Sequence, residues 1–540
     1  MGTPAPVTIW SGGIVGNGQL RRCPDRKSSG NVPANFSGKK IGGERCRYYF
    51  YEKECCCLHE KCKKMKWLSY VLLLVVFPVS FSLRAESLPV AGSLTVAPLF
   101  ATGMVLQCGK PLKIWGTAEP RSRVEVSFGG CRVRTDAGTD GRWRVGLPAM
   151  KASAEGRRME IVSCGEKIVL DDVLVGEVWL AGGQSNMVMS VRSLAPGDRE
   201  ELLSFSDTLI RYYQVMPVVS GRKLRNQPDV VWRRPVPGDT EAWSALSLFF
   251  ARELRGALGI PVGIVCVAQG SSTAEAWISR EYADGHSAVS GAFALGFPGE
   301  RIEHYYRNPC SLYASMLSRV VGFPLRGFIW YQGESNADRA EHYPVVFEGV
   351  IDSWRMGWGD RKLPFLFVQL PAFDKKERRE QPSWALIREA QSDVARSIPR
   401  TAMAVTVDAG DPGNLHPKDK RTVARRLALV ARRTVYGDRY AAVSPVYKSV
   451  RFRNGRAFVR FDTGGSPLVA RGELREFEIC GRDGIWHPAT AWLDGNTVTV
   501  RSEAVPHPVA VRYAWKNAAT VSLYNAAGLP ASPFRTDRNY

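Results

Sequence analysis

Between about residues 173 and 440 the chain alternates short apolar runs with longer amphipathic ones, and this alternation limits the fold more than any other feature. The short runs are Val178 to Ala181, Ile210 to Val215, Val262 to Ala268, Gly327 to Tyr331, Phe365 to Leu370 and Ala402 to Val407. They are too short for helices and read as buried strands. Helical patterns lie between or after them at Ser244 to Leu258, Tyr343 to Trp358, Ser383 to Ser397 and Thr422 to Tyr436. Strands separated by helices need crossover connections, so the pattern predicts an α/β fold with a largely parallel sheet covered on both faces. On either side the pattern changes. Residues 88–172 carry short extended runs such as Leu112 to Gly116, Arg123 to Phe128, Trp143 to Leu147 and Met159 to Cys164, which suggest a β-sandwich-like domain. Short strands return in residues 441–540 (Ala457 to Phe461, Glu476 to Cys480, Thr497 to Val500), a second β-rich region. The expected division is therefore 88–172, 173–440 and 441–540.

A parallel sheet binds ligands beyond the carboxyl ends of its strands, and the chemically suggestive residues follow the strand candidates. Gly183-Gln184-Ser185-Asn186 comes after the first run, on a turn that can open a helix. A small-residue turn there exposes a serine hydroxyl beside unpaired backbone N–H groups, the placement a nucleophile needs. The same serine could cap an ordinary helix. Gln269-Gly270-Ser271-Ser272 follows the third run, Gly333-Glu334-Ser335-Asn336 the fourth, and His416 lies in Asn414-Leu415-His416-Pro417 after the sixth. Of the seven histidines, His416 is the one in the turn between the sixth candidate strand and the last helical pattern.

This set resembles the SGNH hydrolase superfamily. Ala274-Glu275-Ala276-Trp277, the run Leu386 to Gln391, and the segments Leu523-Tyr524-Asn525 and Phe534-Arg535-Thr536-Asp537 resemble the sialate O-acetylesterase family, over roughly residue 100 to the C terminus. The resemblance implies an SGNH-type hydrolase core and a serine esterase that removes O-acetyl groups from carbohydrate. Ser185 is then the nucleophile and His416 the base. The oxyanion donors are the backbone N–H groups of Ser185 and Gly270 and the side-chain amide of Asn336. Gly270 lets the carbonyl approach because it has no Cβ. Gln184, Trp277 and Tyr331 are expected to bind substrate, aromatic faces being suited to the C–H face of a sugar. Many superfamily members place an aspartate three residues before the histidine, but Gly413 stands there. Asp411 is the candidate orienter, with a Ser–His dyad as the alternative and Asp408 the next carboxylate upstream. Glu334 reads as a brace for its loop. Neither a metal nor a cofactor is expected. Rival functions are an acetylxylan or other polysaccharide acetylesterase, and a non-catalytic carbohydrate-binding protein.

The formal net charge of +21 raises nucleic acid as a partner. Residues 1–64, with twelve Lys or Arg against five Asp or Glu, supply +7 of it. The rest is spread over helices such as Arg421 to Arg433, where arginines alternate with apolar positions as on a solvated face, so no nucleic-acid partner is expected. Met65-Lys66 followed by the apolar run Trp67 to Leu83, with small residues near Ser80, Ser82 and Ala85, reads as a secretory signal peptide over residues 65–85. A periplasmic or extracellular protein follows, without stable membrane insertion after cleavage. Residues 1–64 are expected to be an over-extended gene-model segment, and the Cys55-Cys56-Cys57, His59, Cys62 cluster in it fits no regular zinc spacing. Six of the twelve cysteines fall outside that segment, widely spaced. An exported protein could oxidise some of them, while Cys266 reads as a core residue.

Overall fold

The computed structural model describes residues 92–219, 222–223, 231–294, 302–374 and 382–537. The signal-peptide and residue 1–64 readings lie outside these residues. After two short strands, Thr95–Val96 and Val105–Gln107, the chain lays down antiparallel strands, β1 (Leu112–Thr117), β2 (Arg123–Phe128), β3 (Cys131–Asp136), β4 (Arg142–Leu147) and β5 (Ser153–Ser163). It then enters β6 (Glu166–Gly183), a strand of 18 residues. The parallel region continues with β7 (Ile210–Gln214), α2 (Ala245–Leu258), β8 (Val262–Ala268), β9 (Gly327–Tyr331), α3 (Tyr343–Trp358), β10 (Phe365–Val368), α4 (Ser383–Ser397), β11 (Thr401–Ala404) and α5 (Lys420–Thr434). A short helix α1 (Ser185–Val188) caps β6. The strands pair in parallel in the order β7-β8-β6-β9-β10-β11. The fold is the α/β class expected, with antiparallel sheets added on both sides.

Strand β6 joins the two patterns. Its first half pairs antiparallel with β5 and its second half parallel with β8 and β9. Exposure follows: the strand is largely open up to Asp172, and from Val173 to Gly183 every residue is buried. The boundary expected at residue 172/173 therefore falls inside one continuous strand. The switch in composition there marks a change from a sheet with an open face to one covered on both.

Alternation along β6 sets the two helical layers. The Trp179 ring packs edge-on against Phe250 of α2, with centroids 5.6 Å apart. Gly182 faces the other way, where a Cβ would sit 2.4 Å from the Trp354 ring of α3. Trp330, opposite Gly182 in register, meets Trp354 at 5.4 Å. On α5, Val423, Ala424, Leu427, Ala428 and Ala431 are buried. Its arginines are not simply solvated. Arg421 pairs with Asp198 at 2.7 Å and Arg432 with Asp438 at 2.5 Å, while Arg426 holds Asp408.

Beyond α5 the chain forms β12 (Val446–Arg453), β13 (Arg456–Asp462), β14 (Phe477–Cys480), β15 (Thr490–Asp494), β16 (Thr497–Arg501) and β17 (Ala510–Tyr513). These strands close over their own core of Val459, Phe477, Ile479, Val498, Val500 and Val511. Two of the family-like segments join them to the parallel region. Arg535 meets Glu389 of α4 at 2.8 Å, and buried Arg388 donates to the Asn517 carbonyl at 3.1 Å. All six cysteines in the described residues are free; Cys266 lies in the core, and burial pushes the Cys108 thiol up to about 12.

Candidate active site

Three parallel strands end level. Gly183, Ala268 and Tyr331 are in register across β6, β8 and β9, so the residues that follow them emerge side by side. The turn after β6 depends on Gly183, whose φ is +134° and where a Cβ would lie 2.1 Å from the Tyr331 carbonyl oxygen. Only glycine fits so strained and crowded a position. With Gly183 there, Gln184 N donates to Tyr331 O at 3.0 Å and Gln269 N to Gly183 O at 3.0 Å. The three turns are thereby tied into one surface.

On that surface Ser185 is half-buried, and its Oγ lies 2.8 Å from His416 Nε2 across 231 residues of sequence. Gly270 stands beside them: a Cβ on it would be 3.9 Å from Ser185 Cβ. No hydrogen-bond acceptor among the described residues engages the backbone N–H groups of Ser185 or Gly270. Both are thus open to a developing oxyanion, and such a donor is worth about 10²–10³ in rate. Burial, then the Lys420 ammonium, hold the His416 imidazole below its ordinary value. A lowered value favours the neutral ring, which is the form that accepts the serine proton.

Several expected site residues are placed otherwise. Asp411 is exposed, and its Oδ1 accepts from Gly413 N at 3.0 Å. It closes a tight turn rather than reaching the imidazole, and Asp408 is committed to Arg426. No carboxylate among the described residues bonds to His416 Nδ1. What the structure contains is a Ser–His pair. Asn336 is buried, and its amide nitrogen donates to Glu275 at 3.1 and 2.9 Å while its Oδ1 accepts from Ala274 N at 3.0 Å and Gln332 Nε2 at 2.7 Å. In this arrangement that amide braces loops instead of facing an oxyanion. Glu275, a neighbour in sequence of Trp277, supplies the competing acceptor.

The three substrate-binding expectations also fail on burial. Gln184 is 2% exposed, and its Oε1 accepts from Ser335 N at 3.2 Å. Trp277 is 0% exposed; it donates to Ser272 Oγ at 3.0 Å and packs edge-on against Trp330 and Trp354. Tyr331 is 0% exposed under Lys420, whose Nζ lies 6.0 Å from the ring centroid. Aromatic residues at strand ends and in flanking loops are here the core that supports the loops.

Two further residues meet at the site without a role that their sequence context assigns. Asn186, 0% exposed, donates from Nδ2 to Glu334 Oε1 at 2.5 Å and to Leu415 O at 3.0 Å. Lys420, also 0% exposed, donates from Nζ to the Pro417 carbonyl. The sequence signal for Asn186 was its place beside the candidate nucleophile. For Lys420 there is only its position four residues after His416, at the start of α5. Among the described residues no group of three or more His, Cys, Asp or Glu side chains is arranged to hold a metal ion.

A family model described as carbohydrate esterase, sialic acid-specific acetylesterase, matches residues 175–431, a span containing both Ser185 and His416. Sialate O-acetylesterase of Mus musculus is 27% identical over 497 residues, covering 78% of this chain and 90% of that protein. The Homo sapiens protein of the same name is 28% identical over 474 residues, covering 78% of this chain and 88% of its own length. Among solved structures, a carbohydrate acetylesterase from Xanthomonas citri superposes with a TM-score of 0.73 at 39% identity, covering 82% of this chain and 99% of that one.

Proposed function

The chain belongs to the sialate O-acetylesterase family of carbohydrate esterases and is a carboxylic ester hydrolase, and on that premise we propose that Ser185 and His416 remove acetyl groups from O-acetylated sialic acid outside the cytoplasm. The observation that carries the catalytic reading is the 2.8 Å contact between Ser185 Oγ and His416 Nε2, with Gly270 alongside. Ser185 Oγ attacks the acetyl carbonyl as His416 Nε2 takes the serine proton. The N–H groups of Ser185 and Gly270 donate to the resulting oxyanion. His416 then returns the proton to the departing sugar oxygen. In the second half, His416 deprotonates a water that attacks the acetyl-serine, and acetate leaves as Ser185 Oγ recovers its proton. Each half starts from a neutral imidazole, which becomes the imidazolium that returns the proton, so no further acid is needed.

Sialic acid as the carrier is supported by the names of the mammalian relatives. The Xanthomonas citri relative, at higher identity, is described only as a carbohydrate acetylesterase, which leaves an acetylated carbohydrate other than sialic acid, such as a polysaccharide, as the second reading. Export is supported by the positive, apolar and small-residue succession after Met65. Turnover measured side by side on O-acetylated sialosides and on acetylated xylan decides the carrier. Faster release of acetate from xylan would overturn the sialate reading. N-terminal sequencing of protein from its own host should find the mature chain starting between about Leu83 and Ser87. Peptides from residues 1–64 in that material would overturn export.

A further inference from the structure

The base in this site has no carboxylate behind it, yet its loop is held from three directions. His416 N donates to Asn414 Oδ1 at 2.9 Å. The carbonyl just before it, on Leu415, accepts from Asn186 Nδ2 at 3.0 Å. The carbonyl just after it, on Pro417, accepts from Lys420 Nζ. Asn186 directly follows the nucleophile, so one amide grips the neighbours of both reacting side chains. The same Nδ2 donates to Glu334 Oε1 at 2.5 Å, and Glu334 and Lys420 attract each other inside the protein.

All three of these side chains are buried: Asn186 and Lys420 at 0% and Glu334 at 9% exposed. A buried lysine and a buried glutamate are costly to keep unless they are paired and hydrogen-bonded, as these two are through Asn186 and the Pro417 carbonyl. We infer that Asn186, Glu334 and Lys420 form a positioning bracket that fixes His416 through its flanking backbone carbonyls, in place of an aspartate bonded to the imidazole. This inference rests on the Ser185–His416 reading and deepens it. Glu334 anchors the amide, the amide ties the nucleophile turn to the base loop, and Lys420 closes the far side of that loop. The groups facing Glu334 are Asn186 from α1, Tyr331 from β9, Tyr343 from α3 and Lys420 from α5. Those facing His416 are Ser185 and Lys420.

The test uses the chain from residue 86 onward if export processing is found, or the full chain otherwise, with a chromogenic acetate as substrate. Asn186→Leu removes the bridging amide at similar volume. It should lower kcat about 10²-fold with KM nearly unchanged, the scale of a reacting group displaced by about 1 Å. Because Asn186→Leu also orphans Glu334, its melting temperature should fall. Adding Glu334→Leu removes the orphaned carboxylate but leaves buried Lys420 without its counter-charge, so neither the melting temperature nor kcat should recover fully. Lys420→Met should lower kcat and move the acid limb of the pH profile to higher pH, since a positive charge that depressed the His416 pKa is gone. Lys420→Arg should return the limb toward its original position. A stable Asn186→Leu/Glu334→Leu protein with wild-type kcat would overturn the bracket, as would an unmoved acid limb in Lys420→Met. Ser185→Ala is run alongside. If it keeps turnover, the catalytic reading itself has failed; if it is inactive while the bracket variants behave as wild type, only the bracket has.

Discussion

The turn that carries Ser185 and the loop that carries His416 meet at 2.8 Å, but very different amounts of protein surround them. Gly183, Gln184, Asn186 and Met187 are buried, and the turn is bonded to β9, to the loop after β8 and, through Ser244 Oγ on the Met187 carbonyl at 2.6 Å, to the start of α2. Asp411, Pro412, Gly413 and His416 are exposed. Their order comes from a few polar bonds: Asp411 to Gly413, Asn414 to His416, and Asn186 to Leu415. Close packing fixes the nucleophile turn, where a displacement would cost contacts in every direction. The base loop has little apolar surface to lose and belongs to the part of a fold that opens most easily. An active site assembled this way has its nucleophile set by the core and its base set by hydrogen bonds.

The sharpest way to break this comparison is to remove the pair itself. Ser185→Ala should reduce turnover by roughly 10⁴–10⁶ and leave the melting temperature nearly unchanged. His416→Ala should match it, and the double variant should lose little more, because the two act as a unit. Comparable losses at Ser271 or Ser335, with folding intact, would show that the nucleophile lies elsewhere.

Backbone substitutions probe the two surroundings directly. Gly183→Ala forces a Cβ to within 2.1 Å of a carbonyl oxygen at a φ of +134°. It should destabilise the protein by at least about 1–3 kcal/mol, the cost of a strained backbone before any clash is counted. Gly413→Ala meets nothing closer than Asp411 Oδ1 at 3.7 Å and should change stability by no more than about 0.5 kcal/mol. Thermal unfolding of both proteins measures the contrast. Equal destabilisation would mean that the base loop is as tightly packed as the nucleophile turn.

A smaller effect is expected at Asp411. Asp411→Asn keeps an oxygen for Gly413 N, so kcat/KM should fall less than about tenfold, whereas loss of a true triad aspartate costs about 10⁴. A loss of several orders of magnitude would restore Asp411 as the orienter. The subtlest expectation concerns pH. His416 must be neutral to act as base, and partial desolvation of its ring, together with Lys420, lowers its pKa although the residue is exposed overall. Activity should therefore survive as pH falls past the ordinary histidine value and be lost only when pH drops through the lowered one. A kcat/KM profile whose acid limb lies at or above that ordinary value would contradict the partial desolvation of the ring.

Much of the parallel region was legible before the structure. The runs Val262 to Ala268 and Gly327 to Tyr331 are the strands β8 and β9, and Tyr343 to Trp358 and Ser383 to Ser397 are helices α3 and α4. Burial on both faces makes a strand read as unbroken apolar sequence, so its limits show in composition. The first half of β6 was not legible as part of the same strand, because Asp171-Asp172 interrupts the apolar pattern where one face is still open. Trp277, Tyr331 and Gln184 look like substrate contacts in sequence but are buried, for a related reason. A loop residue of sugar-binding type and one that fills the space beneath the loop have the same identity, and exposure separates them only after folding.

Local sequence determined that a serine would stand on a glycine-dependent turn, that a second glycine and a histidine would follow other strands, and that these strands would run parallel. It did so because strand length, turn strain and apolar runs depend on near neighbours along the chain. Tertiary structure decided which groups face one another. Asn336 gives its amide to Glu275, Asp408 goes to Arg426, and Asp411 closes its own turn, so His416 is left to a bracket built from two distant segments and the start of the helix that follows it. Those choices are competitions among polar groups for partners in a buried space. Their outcome depends on distances between residues as far apart as Asn186 and Leu415, which no local pattern encodes.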